Sequence, residues 1–108
     1  MRVAEISTPG GPEVLVAGTR PVPEPGPDEV LIRVAAAGVN RPACLHRAGL
    51  YPAPPGASDL PGLEVAGEIA ATGSNVTRWQ PGDIVCAHTH GGGYAEYVRV
   101  HAGSCLPV

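Results

Sequence analysis

Proline and glycine limit the length of every regular element in this chain. The 108 residues include 15 Gly and 13 Pro, about a quarter of the sequence. Between Arg20 and Asp28, proline stands at every second position, which favours an extended segment with few backbone hydrogen-bond donors. Long helices are incompatible with so many breakers, so we expect short strands joined by tight turns.

Hydrophobic periodicity predicts about six or seven short strands. The clearest is Glu29–Ala37, in which Val30, Ile32 and Val34 share one face. Further strands are predicted over Arg2–Ser7, Val14–Ala17, Leu63–Thr72, Asp83–Ala87 and Tyr94–Val100. Several short strands at this spacing favour a β-barrel or a β-sandwich.

One short helix is predicted, over Arg41–Ala48. Asn40 is a good N-cap residue, Pro42 suits the first turn, and Gly49 is a plausible stop. The proline-rich run at 51–56 that follows cannot be regular structure and is expected to form a loop.

Charge and composition argue against several classes of protein. The net charge is −3, and the seven arginines stand singly along the chain, so no basic stripe follows a nucleic-acid backbone. No apolar run approaches the ~18 residues of a membrane span, and the N-terminus lacks the pattern of a signal peptide. Three well-separated cysteines do not make a disulfide framework. We therefore expect a cytoplasmic protein with reduced thiols.

Four ordered motifs carry a family resemblance. They are Gly38-Val39-Asn40-Arg41 with Arg47-Ala48-Gly49-Leu50-Tyr51-Pro52, Pro61-Gly62-Leu63-Glu64-Val65-Ala66-Gly67-Glu68-Ile69, Gly82-Asp83-Ile84-Val85-Cys86-Ala87, and Gly91-Gly92-Gly93-Tyr94-Ala95-Glu96-Tyr97. Together they resemble the zinc-independent quinone oxidoreductase branch of the medium-chain dehydrogenase/reductase superfamily. Within that branch they are most similar to the tumour-suppressor-inducible NADPH:quinone oxidoreductase subgroup.

The resemblance implies a mainly β fold, a GroES-like β-barrel with one or two short helices. Residues 1–108 would be the substrate-side catalytic domain, and the Rossmann nucleotide-binding domain is absent from this chain. The run Gly91-Gly92-Gly93 is no substitute, because it lacks the required spacing and leads into a strand instead of a helix. The implied reaction is hydride transfer from NADPH to a quinone or an enone. A longer form would be a homodimer, and the isolated chain is expected to be inactive.

Two residues are the candidates for both catalysis and cofactor binding. Asn40 matches an asparagine that lies near the nicotinamide in relatives, although a helix N-cap explains it as well. Tyr51 matches a tyrosine that lines the cleft, although an aromatic side chain on a proline-rich loop often just packs on the proline rings.

Glu64 is expected to be structural, either in a polar network or paired with an arginine. Tyr94 and Glu96 are expected on one face of a strand, opposite Tyr97, mainly in packing roles.

Metal binding receives less support. The zinc-dependent relatives carry a cysteine and a histidine where this chain has Asn40 and Leu63, so the resemblance implies no zinc. The pattern Cys86-x-His88-x-His90 would place three ligand types along one strand face, but ligands about 7 Å apart converge only if the strand bends. A buried cysteine with two loop histidines is the favoured interpretation, and a small metal-binding protein stays an alternative.

Two other functions compete with quinone reduction. Zinc-free enoyl-thioester reductases share much of the same pattern, and a non-catalytic GroES-like module that binds a partner is a second alternative. The sequence does not identify the acceptor or the proton donor.

Overall fold

The structure, a computed structural model, describes residues 1–40, Cys44, 48–49 and 58–108. The predicted loop at 51–56 and most of the predicted helix at Arg41–Ala48 lie outside the described residues. Tyr51 lies outside them too. The described part is dominated by strands, which confirms the mainly β prediction.

The chain begins with an antiparallel hairpin. Strands β1 (Arg2–Ile6) and β2 (Leu15–Thr19) pair over five residues, with Ile6 opposite Leu15. A single turn of 3-10 helix at Pro12–Val14 leads into β2, where proline supplies the φ angle that a first helical position needs. The segment between β2 and the next strand contains no helix or strand, in agreement with its alternating prolines.

The second sheet is the body of the domain. Its strands are β3 (Glu29–Ala37), β4 (Glu64–Thr72), β5 (Ile84–His88), β6 (Tyr97–His101) and β7 (Cys105–Pro107). They lie in the order β6-β3-β4-β5-β7, and every neighbouring pair is antiparallel. Within the described part of the chain, neither sheet closes on itself.

Alternation within these strands builds one apolar core. Val30 and Ile32 of β3, Ile69 of β4 and Val85 of β5 are essentially inaccessible to solvent. Each such side chain contributes about 1.5–3 kcal/mol relative to leaving it in water. Trp79 closes one end of the core, and its indole N–H donates to the Ala102 carbonyl oxygen at 3.0 Å.

The predicted strand boundaries differ from the structure in the last third of the chain. The strand predicted over Tyr94–Val100 begins at Tyr97 instead, because residues 94–96 pair with β1. The Ala4 N–H donates to the Tyr94 carbonyl and the Glu96 N–H donates to the Arg2 carbonyl. The short edge strand β7 was not predicted. It follows a single 3-10 turn at Ala102–Ser104, too close to β6 for periodicity to separate the two strands.

Candidate active site

The first family motif begins where β3 ends. Gly38, Val39 and Asn40 continue the chain beyond Ala37, and the Gly38 N–H donates to the Glu64 carbonyl oxygen at 3.1 Å. This hydrogen bond extends the β3–β4 pairing by one residue past the last assigned strand position. The sheet therefore sets where the Val39–Asn40 segment emerges.

Glu64 lies directly against Gly38. A Cβ atom built on Gly38 would collide with the Cγ, Cδ and Oε1 atoms of Glu64. The absence of a side chain at position 38 thus lets the carboxylate of the neighbouring strand fold over the backbone. Glu64 is exposed and forms no ion pair with an arginine among the described residues, which do not include Arg41 and Arg47, so the pairing of Glu64 with an arginine stays a prediction.

Tyr94 contacts the same backbone. Its hydroxyl donates to the Gly38 carbonyl oxygen at 3.2 Å. Burial raises the pKa of Tyr94, and the nearby Cys44 and Glu64 raise it further. The hydroxyl therefore keeps its proton at neutral pH and remains a donor. The sequence suggested only packing for this residue, because a hydrogen bond spanning 56 positions leaves no local pattern.

Asn40 lies two residues after Gly38 and is exposed. Its carbonyl oxygen accepts a hydrogen bond from the Cys44 N–H at 3.3 Å, and the Cys44 carbonyl accepts one from the Ala48 N–H at 3.1 Å. Both bonds have the i to i−4 spacing of an α-helix, and an N-cap carbonyl makes the first of them. The N-cap interpretation of the Asn40 backbone is therefore supported. A common site formed by Asn40 and Tyr51 stays a prediction, because Tyr51 lies outside the described residues.

Val39 presents an apolar side chain beside the Asn40 amide. It is 77% exposed, among the most exposed of the large hydrophobic residues that the structure describes. Scattered exposed hydrophobic residues are common, so exposure alone does not define a site. Here an exposed apolar residue and an exposed amide residue are consecutive, and they follow a glycine whose N–H and carbonyl are both hydrogen-bonded.

A cavity of about 520 Å³ adjoins this segment on the outer face of the large sheet. Its walls come from the ends of β3, β4 and β5 and from β7, and they include Gly38, Glu64, Cys86, His88 and Leu106. The walls are mostly apolar, with one carboxylate and one imidazole at the end near Gly38. That composition is typical of a small-molecule site.

A second cavity, of about 550 Å³, runs along β6 and the segment after β2. Arg20 contributes to it, but its guanidinium donates to Asp59 at 2.6 Å and to Glu5 at 3.1 Å. The hydrogen bond with Asp59, and then the one with Glu5, raises the pKa of Arg20. Two carboxylates thus already neutralise this cation, which makes the cavity a weaker candidate for an anionic ligand.

The possible metal ligands do not form a cluster. Cys86 and His88 share the outer face of β5, and the rings of His88 and His90 meet edge to face with centroids 5.9 Å apart. Among the described residues, no group of three His, Cys, Asp or Glu side chains is arranged to hold a metal ion. Leu63 is half-buried, and its carbonyl accepts the Thr89 N–H at 2.8 Å.

No helix in the described part of the chain has the length and apolar character needed to cross a membrane.

The three cysteines are free thiols, exposed at Cys44, half-buried at Cys86 and buried at Cys105.

Comparison with known proteins places this geometry in a family. Residues 26–108 match the model of the alcohol dehydrogenase GroES-like domain. A quinone oxidoreductase of Pseudomonas aeruginosa is 49% identical over 92 residues, which cover 85% of this chain and 27% of that protein. The chain spans about a third or less of the length of the curated relatives that it matches.

Solved structures agree with the sequence relatives. A quinone oxidoreductase of Pseudomonas syringae pv. Tomato superimposes with a TM-score of 0.89 at 37% identity, covering 99% of this chain and 33% of that chain. The Escherichia coli quinone oxidoreductase complexed with NADPH gives a TM-score of 0.87 at 32% identity, covering 100% and 33%. The predicted GroES-like fold is confirmed, and this chain belongs to the alcohol dehydrogenase GroES-like domain family.

Proposed function

We propose that this chain is the substrate-side domain of an NADPH-dependent oxidoreductase that reduces a quinone or an enone. The observation that carries the proposal is the segment after β3, where exposed Val39 and Asn40 follow a glycine held between Glu64 and Tyr94. The relatives named quinone oxidoreductases and the Escherichia coli complex with NADPH support the same reaction.

The described residues fit one end of the cofactor. The Asn40 amide offers both a donor and an acceptor, as a nicotinamide carboxamide requires, and Val39 offers apolar surface to a ring. They do not fit the pyrophosphate. Gly91, Gly92 and Gly93 are buried, and the chain after them leads into β6, not into a helix N-terminus. We therefore propose that the main nucleotide site lies in a separate Rossmann domain.

The proposed roles of NADPH and of the protein residues in the reaction follow from this fit. When bound, NADPH would supply the hydride, and the reduced acceptor would take up one proton to complete the reaction. Asn40 orients the nicotinamide or the acceptor carbonyl through its amide, and Tyr51 is proposed to line the cleft. Val39 keeps water away from the reacting faces, and the cavity of about 520 Å³ beside Gly38 provides room next to the cleft.

NADPH oxidation tests the proposal directly. The 108-residue chain and the longest polypeptide that contains it would be assayed with ortho-quinones, para-quinones, enones and enoyl thioesters. We expect turnover only in the longer polypeptide. Turnover only with enoyl thioesters would assign the chain to an enoyl reductase instead. A longer polypeptide with no nucleotide domain and no activity would favour a binding module.

Substitution of Asn40 tests the site. In the active polypeptide, Asn40→Ala is expected to lower kcat/KM about tenfold, the scale of one lost hydrogen bond. Asn75→Ala is the matched control, because Asn75 bonds Asp28 at 3.1 Å on an exposed loop and lies outside the proposed site. Equal rates for the two variants would remove Asn40 from the site. The homodimer, the cytoplasmic location and the absence of zinc stay predictions, to be checked by light scattering, fractionation and elemental analysis.

A further inference from the structure

Tyr94 connects two distant parts of the chain at the edge of the proposed site. Its hydroxyl donates to the Gly38 carbonyl oxygen at 3.2 Å, and the two residues are 56 positions apart. Gly38 precedes Val39 and Asn40, the two exposed residues assigned to the cofactor and the acceptor. The hydrogen bond therefore joins the segment after the glycine run to the exit of β3.

The backbone that carries Tyr94 is held firmly. Its carbonyl oxygen accepts the Ala4 N–H at 2.8 Å, and its own N–H donates to the Pro61 carbonyl at 3.1 Å. Gly62, with φ of +102°, lies so close that a Cβ there would meet the Tyr94 nitrogen at 2.6 Å. The ring thus projects from a segment fixed by β1 on one side and by residues 61–62 on the other.

The atom that Tyr94 contacts controls the direction of the following peptide. The Gly38 carbonyl belongs to the planar peptide unit that joins Gly38 to Val39, so fixing this oxygen also fixes the Val39 N–H. On the other side, the Gly38 N–H is fixed by the Glu64 carbonyl at 3.1 Å. A glycine without these two restraints would have more backbone freedom than any other residue. Together the two bonds define how Val39 and Asn40 leave the sheet.

We propose that Tyr94 is a positioning residue, which orients Asn40 by holding the Gly38–Val39 peptide unit through its hydroxyl. This inference rests on the proposed function, since it assigns Tyr94 a part in placing the cofactor or the acceptor. Tyr94 itself touches neither of them. Its removal disturbs the geometry of the reaction more than the affinity for NADPH, most of whose contacts lie in the nucleotide domain.

Tyr94→Phe isolates the hydroxyl, and Tyr97→Phe is its matched control. Tyr97 is also half-buried, three residues away on β6, and its hydroxyl makes no hydrogen bond recorded among the described residues. In the longer polypeptide, Tyr94→Phe is expected to lower kcat roughly 3- to 10-fold while KM for NADPH stays within about twofold. Tyr97→Phe is expected to change neither parameter.

A spectroscopic measurement separates positioning from a general loss of stability. With selective ¹⁵N labelling of valine and asparagine, Tyr94→Phe is expected to shift the amide signals of Val39 and Asn40. The Asn75 signal stays constant, the Tm falls by no more than a few degrees, as expected for one lost hydrogen bond, and Tyr97→Phe shifts neither Val39 nor Asn40.

The outcomes distinguish the two proposals. A wild-type polypeptide that does not oxidise NADPH overturns the proposed function and, with it, the catalytic consequence of Tyr94. An active wild type in which Tyr94→Phe leaves kcat and the Val39 and Asn40 signals unchanged overturns the role of Tyr94 alone. A loss of kcat accompanied by a large fall in Tm and by shifts of amide signals throughout the ¹⁵N spectrum also overturns it, because the hydroxyl would then be structural.

Discussion

Two glycines show how differently the sheet interior and the candidate site are built. A Cβ added to Gly67, inside β4, would strike the Arg33 carbonyl of the neighbouring strand, while a Cβ added to Gly38 would strike the Glu64 side chain. The first obstacle is backbone held in a ladder, and the second is an exposed side chain free to rotate. A Cβ in the interior therefore meets backbone that cannot relax, whereas a Cβ at Gly38 meets a side chain that can shift at little cost.

The largest expected effect lies in the interior. Ile32→Ala should lower the free energy of unfolding by about 2–5 kcal/mol, because Ile32 is 0% exposed and its removal leaves a cavity. Ile84→Ala is the matched control, since Ile84 on β5 is 52% exposed, and it should cost much less. Denaturation followed by the fluorescence of Trp79, the single tryptophan, measures both. Similar losses in the two variants would mean that the outer face is as well packed as the core.

The two glycines themselves sharpen the comparison. Gly67→Ala should cost about 1–3 kcal/mol, because two adjacent backbones have to move apart. Gly38→Ala should change stability by less than about 1 kcal/mol, since the Glu64 side chain can rotate away.

For NADPH oxidation by the longer polypeptide, we expect a different outcome. Gly38→Ala should lower the rate, because the Glu64 carboxylate and the backbone before Asn40 are displaced. Chemical denaturation and the quinone assay on the same variants give the two measurements. A Gly38→Ala variant as unstable as Gly67→Ala would show that Glu64 is not free to move.

The smallest expected effect concerns the thiols. Burial raises the pKa of Cys105 above its usual 9.0, the nearby Cys86 raises it further, and Arg78 partly opposes the shift. Between the unfolded and folded pKa values the unfolded chain releases a proton that the native thiol retains, so stability falls as pH rises above about 9. Below that pH this contribution is fully present.

Cys105→Ala tests this pH dependence against Cys44→Ala. Cys105 is 1% exposed and Cys44 is exposed, so only Cys105→Ala should flatten the alkaline decline. Unfolding free energies between about pH 7.5 and pH 9.5 measure the slopes. Alkylation in the native state should modify Cys44 first and Cys105 last. A reactive Cys105 would contradict the assignment of this thiol to the core.

The sequence by itself determined the class of fold and most strand positions. The alternation of Val30, Ile32 and Val34 predicted β3 with the observed boundaries, Glu29–Ala37, because a half-buried strand must repeat every two residues. The many glycine and proline residues predicted that the chain would contain little helix. The motifs pointed to the family, and the structure places Asn40 in an exposed position just after β3. Its role, and that of Tyr51, stays a prediction.

Only the tertiary structure decided which segments meet. Residues 94–96 have a strand-like pattern, yet Ala95 pairs with Val3 of β1, and the Tyr94 hydroxyl donates to the Gly38 carbonyl oxygen. Likewise, nothing in Glu64 indicated that its carboxylate would cover a glycine of the adjacent strand. Periodicity records which face of a strand is buried, but not which strand lies beside it. The physical reason is that strand partners are chosen by packing across the whole core, and no local pattern encodes that choice.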